Sequence, residues 1–118
     1  MEPYQENIMD AELKARWVAA LRSGTYAQTQ NVLRNHEGFC CLGVLCDLVD
    51  PDGWQEPNGD ETKFGYLDPE SKGYAETYEP PVEITTRAGL YDTGIFMEMN
   101  DNLGNSFDEI ADYIEANV

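Results

Sequence analysis

The sequence predicts a small α+β protein with one domain, and three observations carry that reading. Two stretches, near either end, place apolar residues at helical spacing behind a capping residue. An apolar run, Phe39 to Val49, supplies a candidate core element. Residues 51–80 are rich in Gly, Pro, Asp, Glu and Tyr, which suits loops and short strands better than helices. A chain of 118 residues suits one domain. Its 42% hydrophobic and 11% aromatic content belongs to a folded chain rather than a disordered one.

The elements follow in order. Residues 1–9 show no period and read as a flexible leader, with the domain running from 10 to 118. Asp10 is a natural N-cap and Glu12 suits the first turn of a helix. Leu13, Trp17, Val18 and Leu21 fall on one face, and Ser23-Gly24 ends the segment. The pattern predicts a helix over 11–22. A short strand around 31–34 precedes the turn residues Asn35-His36-Glu37-Gly38. The run that follows places Leu42, Leu45, Cys46 and Val49 at helical spacing and predicts a buried helix over 40–49, with a strand as the alternative. Gly43 within it costs about 1 kcal/mol against Ala, so its place there implies close packing.

Asp50-Pro51-Asp52-Gly53 stops that element. Short strands are expected near 63–67 and 74–78. Pro80-Pro81 opens a helix over 81–88, with proline at the first position and Gly89 closing it. Residues 95–99 form a strand or a single helical turn, and Asn100-Asp101-Asn102 a turn. Ser106 and Glu109 make a capping box. Phe107, Ile110, Ala111 and Ile114 then form the apolar stripe of a helix over 107–116. The architecture expected is therefore about four helices with a small antiparallel sheet.

Charge is the unusual property. Seven Lys and Arg stand against 23 Asp and Glu, a net charge of −16. Residues 1–49 hold six acidic and four basic residues, whereas residues 50–118 hold 17 acidic and three basic. Such a field repels nucleic acid and anionic membranes, so direct contact with either is not expected. The excess serves solubility, or it imitates a phosphate backbone and occupies a basic protein.

The chemistry-bearing motifs are few. His36 is the one histidine and sits in a turn. Cys40, Cys41 and Cys46 lack paired metal-ligand spacing and an even count for disulfides, so they read as reduced core residues. Asp50-x-Asp52-Gly53 has the start of a calcium loop without its closing Glu. No nucleotide-binding glycine loop or hydrolase motif is present. No catalytic residue, metal or cofactor is expected. With so few cations, Arg22, Arg34 and Arg87 become candidates to meet an anionic ligand. Trp17, Tyr26, Trp54, Tyr66 and Tyr91 are candidates to stack on a base.

Three stretches resemble a family of small bacteriophage proteins: RWVAALRSGTYAQ (16–28), FCCLGVLCDL (39–48) and MNDNLGNSFDEIADYIE (99–115). A weaker fourth is PPVEITTRAGL (80–90). Together they cover about half the chain, and residues 50–79 contribute nothing to the likeness. Members of that family are less acidic, so the charge of residues 50–118 belongs to this chain. The resemblance implies a phage or prophage origin and the cytoplasm of a bacterial host, and brings no catalytic set.

The polar residues within the matched stretches that a core does not need are Arg22, Ser23, Tyr26, Gln28, Asp47, Asn100 and Asp101. With Arg34 they are the candidate ligand-binding residues, although Asn100 and Asp101 are also good turn formers. The function expected is a counter-defence accessory protein that sequesters a nucleotide-type immune signal, aided by homo-oligomerisation. An acidic inhibitor of a basic host protein is the alternative. A metal-dependent enzyme that degrades the signal ranks last, because no ligand spacing supports it.

Overall fold

In the computed structural model, residues 9–35, 37–51, 54–55, 63–67, 75–76, 80, 82–90 and 92–118 are described. Their helices and a small antiparallel sheet form the expected α+β arrangement.

The first helix, α1 (Ala11–Arg22), starts where Asp10 accepts a hydrogen bond from the Leu13 amide at 3.0 Å. It buries Leu13, Trp17, Val18 and Leu21. Ser23 caps its end, and Gly24 turns the chain at φ +78, a conformation that costs glycine little. Met9, read with the leader, is instead buried in the core; residues 1–8 lie outside the described residues.

Strands β1 (Arg34–Asn35) and β2 (Gly38–Phe39) pair antiparallel, with Arg34 opposite Phe39. The Asn35 side chain accepts from the amides of Glu37 and Gly38, which fixes the tight turn between them. The strand begins at Arg34 rather than near 31, because Val32 and Leu33 bend into the core and are buried there. Strand β4 (Lys63–Leu67) lies on the expected residues and pairs with β1, with β3 (Trp54–Gln55) and with β5 (Ala75–Glu76). Strand β5 falls within the expected 74–78, whose other residues lie outside the described ones, and β3 had no local signal.

Helix α2 (Cys41–Val49) runs through the core with Cys41 to Cys46 all buried. Cys40 is its N-cap rather than its first residue, accepting through Sγ from the Gly43 amide at 3.4 Å. A side chain at Gly43 would lie 1.8 Å from the Leu33 carbonyl oxygen. The backbone of residue 33 therefore crosses directly over the helix, where only a hydrogen fits. The three cysteines are buried and free, as their core reading required.

Helix α3 (Val82–Ala88) is closed by Gly89 at φ +80, with the amides of Gly89 and Leu90 both returning to the Thr85 carbonyl. Pro81 lies outside the described residues. Helix α4 (Gly94–Met97) runs straight into a single π-helical turn over Glu98–Asn102. Residues 95–99 are thus helical, and Asn100–Asn102 continue the helix with a wider turn instead of leaving it. Helix α5 (Phe107–Asn117) has both halves of its capping box and buries Phe107, Ile110, Ala111 and Ile114.

The core is shared by all the helices. Helices α1 and α5 make the most extensive pairing. Trp17, fully buried, donates from Nε1 to the Cys41 carbonyl at 2.9 Å and packs against Phe96 with ring centroids 5.3 Å apart. Its indole thus joins α1 to α2 and α4 at once.

Gly43→Ala reverses the usual helix preference. The substitution should gain about 1 kcal/mol from propensity. Collision with the Leu33 carbonyl instead makes it a net loss of about 2 kcal/mol or more, measurable as a lower urea midpoint.

Candidate functional site

The eight candidate side chains separate into three places. Arg22 and Ser23 finish α1. Arg22 bridges to α5, its Nη2 lying 2.8 Å from Asp112 Oδ1 and 2.7 Å from Glu115 Oε1. The Ser23 hydroxyl donates to the Ala20 carbonyl and accepts from the Thr25 amide, fixing the exit turn. Beside them a groove of about 240 Å³ is lined by Arg22, Tyr26, Gln28 and the start of α5 at Phe107 and Asp108. Its polar groups already serve the fold, and Asp108 adds a negative rim.

Gln28, Asn100 and Asp101 form a second place, a polar knot around one buried side chain. Asn100 is fully buried within the π turn. Its Oδ1 accepts from Gln28 Nε2 at 2.8 Å and from the Cys41 amide at 3.3 Å, at the start of α2. Its Nδ2 donates to the Thr29 carbonyl and to Asp101 Oδ1, both at 2.9 Å. Asp101 Oδ1 also takes the amide of Asn31, a residue held at φ +70. Gln30 Nε2 donates to the Asn100 carbonyl at 3.2 Å, and Gln28 Nε2 also reaches the Asn105 carbonyl. Among the described residues no buried side-chain nitrogen or oxygen lacks a hydrogen bond, so the knot is fully satisfied. These side chains hold the 28–31 segment to the π turn.

Tyr26, Arg34 and Asp47 make the third place, and two aromatics complete it. Tyr26 donates its hydroxyl to Asp47 Oδ2 at 2.6 Å, and Trp54 donates Nε1 to Asp47 Oδ1 at 3.0 Å. The Phe39 ring stands edge-on between them, 4.9 Å from Tyr26 and 5.8 Å from Trp54 by centroids. The Arg34 guanidinium lies 4.7 Å from the Phe39 centroid and 5.2 Å from that of Trp54, within cation–π range. All five side chains are half-buried. Helix α2 supplies the carboxylate, the β1–β2 hairpin the arginine and one ring, and β3 the indole. The result is a partly exposed surface of three rings and a guanidinium, pinned by one carboxylate.

Burial, and then the bond to Asp47, push the Tyr26 phenol up to about 12. The same burial pushes the Cys40 thiol to about 12 and raises Cys41 and Cys46 as well, so α2 holds its thiols protonated. Among the described residues no three or more His, Cys, Asp or Glu are grouped to hold a metal ion. No described helix is long and apolar enough to cross a membrane.

Trp17, one of the candidate stacking rings, is committed to the core by its bond to Cys41. Tyr91 lies outside the described residues, as does His36. Phe39 escaped the sequence reading because it opens the apolar run and looks like core. Its signal was the register of the hairpin, which sets it opposite Arg34.

Fold and geometry together define a small α+β domain with a satisfied polar knot and a half-exposed aromatic–arginine surface. It belongs to the DUF8296 family, a domain of unknown function, whose model matches residues 9–118. No curated protein and no solved structure matches the chain.

Asn100→Ala should cost roughly 2–4 kcal/mol, because it strands the Cys41 amide and the Thr29 carbonyl in the interior. Chemical denaturation measures that loss. Tyr26 gives a pH signature of opposite sense to an acid-denatured carboxylate. Its folded pKa lies above the ordinary 10.0, so the stability it contributes is complete below pH 10 and is lost as pH rises toward 12. The phenolate absorbance difference between the wild type and Tyr26→Phe should therefore titrate late, near pH 12.

Proposed function

We propose that this is a non-catalytic binding protein that captures a nucleotide-type small molecule on the Arg34–Phe39–Trp54 surface. The observation that supports the reading is the Arg34 guanidinium seated over two half-exposed rings. Flat bases stack on aromatic faces and on guanidinium planes, and a guanidinium meets phosphate with paired hydrogen bonds. Four of the five cluster residues lie in the nearly neutral first 49, which also carry four of the seven cations. The local field therefore opposes an anion far less than the net charge suggests.

The likeness to small bacteriophage proteins gives this capture a setting. In the cytoplasm of an infected bacterium, a stoichiometric sponge lowers the free concentration of a nucleotide immune signal without altering it. A second reading draws on α5, which exposes Asp108, Glu109, Asp112 and Glu115 along one helix. Such a face suits a basic host protein, and binding through it would weaken steeply with salt.

The test is capture and release. The protein is incubated with small-molecule extract from bacteria whose nucleotide-signalling defence is triggered, washed, denatured, and its ligand identified by mass spectrometry. An intact nucleotide should come off the wild type, and capture should fall about tenfold or more in Arg34→Ala and Trp54→Ala. Arg22→Ala, held by α5 and away from the platform, should capture normally. Release of no nucleotide overturns the proposal and turns attention to the acidic face.

A further inference from the structure

We infer that Asp47 selects the base, and that the base is guanine; this rests on the nucleotide reading above. The argument starts from the valence of the carboxylate. Each of its oxygens accepts about two hydrogen bonds. Oδ2 takes one from the Tyr26 hydroxyl at 2.6 Å, and Oδ1 takes one from the Trp54 indole at 3.0 Å. Those two donors come from different elements, one after α1 and one on β3, so the carboxylate is fixed at the rim of the rings with both oxygens engaged once. Among the described residues neither oxygen takes a further donor, which leaves one lone pair on each.

A pair of adjacent acceptors at fixed spacing fits a pair of adjacent donors. Guanine presents two beside each other, N1–H and the N2 amino group, on its Watson–Crick edge. Adenine, cytosine and uracil each set a single donor next to an acceptor, whose lone pairs would face the second carboxylate oxygen. Repulsion there is worth as much to selectivity as the attraction. The ligand edge that Asp47 accepts is therefore that of guanine.

Asp47 also shows why the three rings alone would not discriminate. Stacking is tolerant of base identity, whereas a bidentate contact to a base edge distinguishes one base from another. The platform supplies retention and the carboxylate supplies choice.

The experiment is a titration of the purified protein with guanosine, adenosine, cytidine and uridine 5′-monophosphates, each alone, by calorimetry. Wild-type protein should bind the guanosine nucleotide about tenfold or more tightly than the other three. Asp47→Asn still offers an oxygen to the platform, but presents an amide where guanine needs a second acceptor. It should bring the four affinities within about threefold of each other, with an unchanged circular dichroism spectrum. Should Asp47→Asn fail to fold, the wild-type ranking alone decides. Binding of all four without preference, or a guanine preference that survives Asp47→Asn, overturns the role of Asp47 and leaves the nucleotide reading standing. Binding of none overturns both.

Discussion

One buried amide holds the unlike parts of this chain together. Asn100 spends its four hydrogen-bonding positions on four partners from three different places: Gln28 and Thr29, the start of α2 at Cys41, and its own neighbour Asp101. A group of that polarity is tolerated in the interior only when every bond is made. The site therefore enforces one arrangement of the segment after α1, the start of α2 and the π turn. The π turn follows from the same demand. Asn100 lies inside that widened turn and is fully buried there.

The aromatic–arginine surface depends on that arrangement at one remove. Its parts come from the residues just after α1, the β1–β2 hairpin, α2 and β3. No two of them are neighbours in sequence except through the hairpin register that sets Arg34 across from Phe39. The segment 28–31, clamped by the π turn, leads into Leu33, and Leu33 passes so close to Gly43 that only a hydrogen fits between them. The hairpin is thus anchored at its root by a polar knot and a steric contact. Rings and guanidinium sit on a platform whose position is decided some distance away. A surface held in this fashion is ordered by the fold itself.

The helices were legible because their information is local. Asp10 with its apolar stripe, and Ser106 with Glu109, carry start signals and buried faces within a dozen residues, and both helices lie where those signals put them. The sheet was less so. Strands of two residues have no period to read, and β3 exists because β4 offers it an edge. Asn100–Asn102 misled for a related reason: Asn and Asp favour turns on their own, and only tertiary capture of one side chain makes them helical. Scarcity of cations drew notice to Arg22 and Arg34. It could not tell that two carboxylates on α5, some ninety residues later in the chain, would take up the first while rings took up the second.

The cysteines of α2 have a use for anyone wishing to watch this molecule. All three are enclosed, and burial keeps their sulfurs in the unreactive protonated form. The native fold thus offers alkylating reagents a silent background. One new cysteine on the open face of α1, at Ala15 or Ala19, would carry a fluorophore or spin label alone. Appearance of the native thiols in such a reaction would itself time the opening of the core.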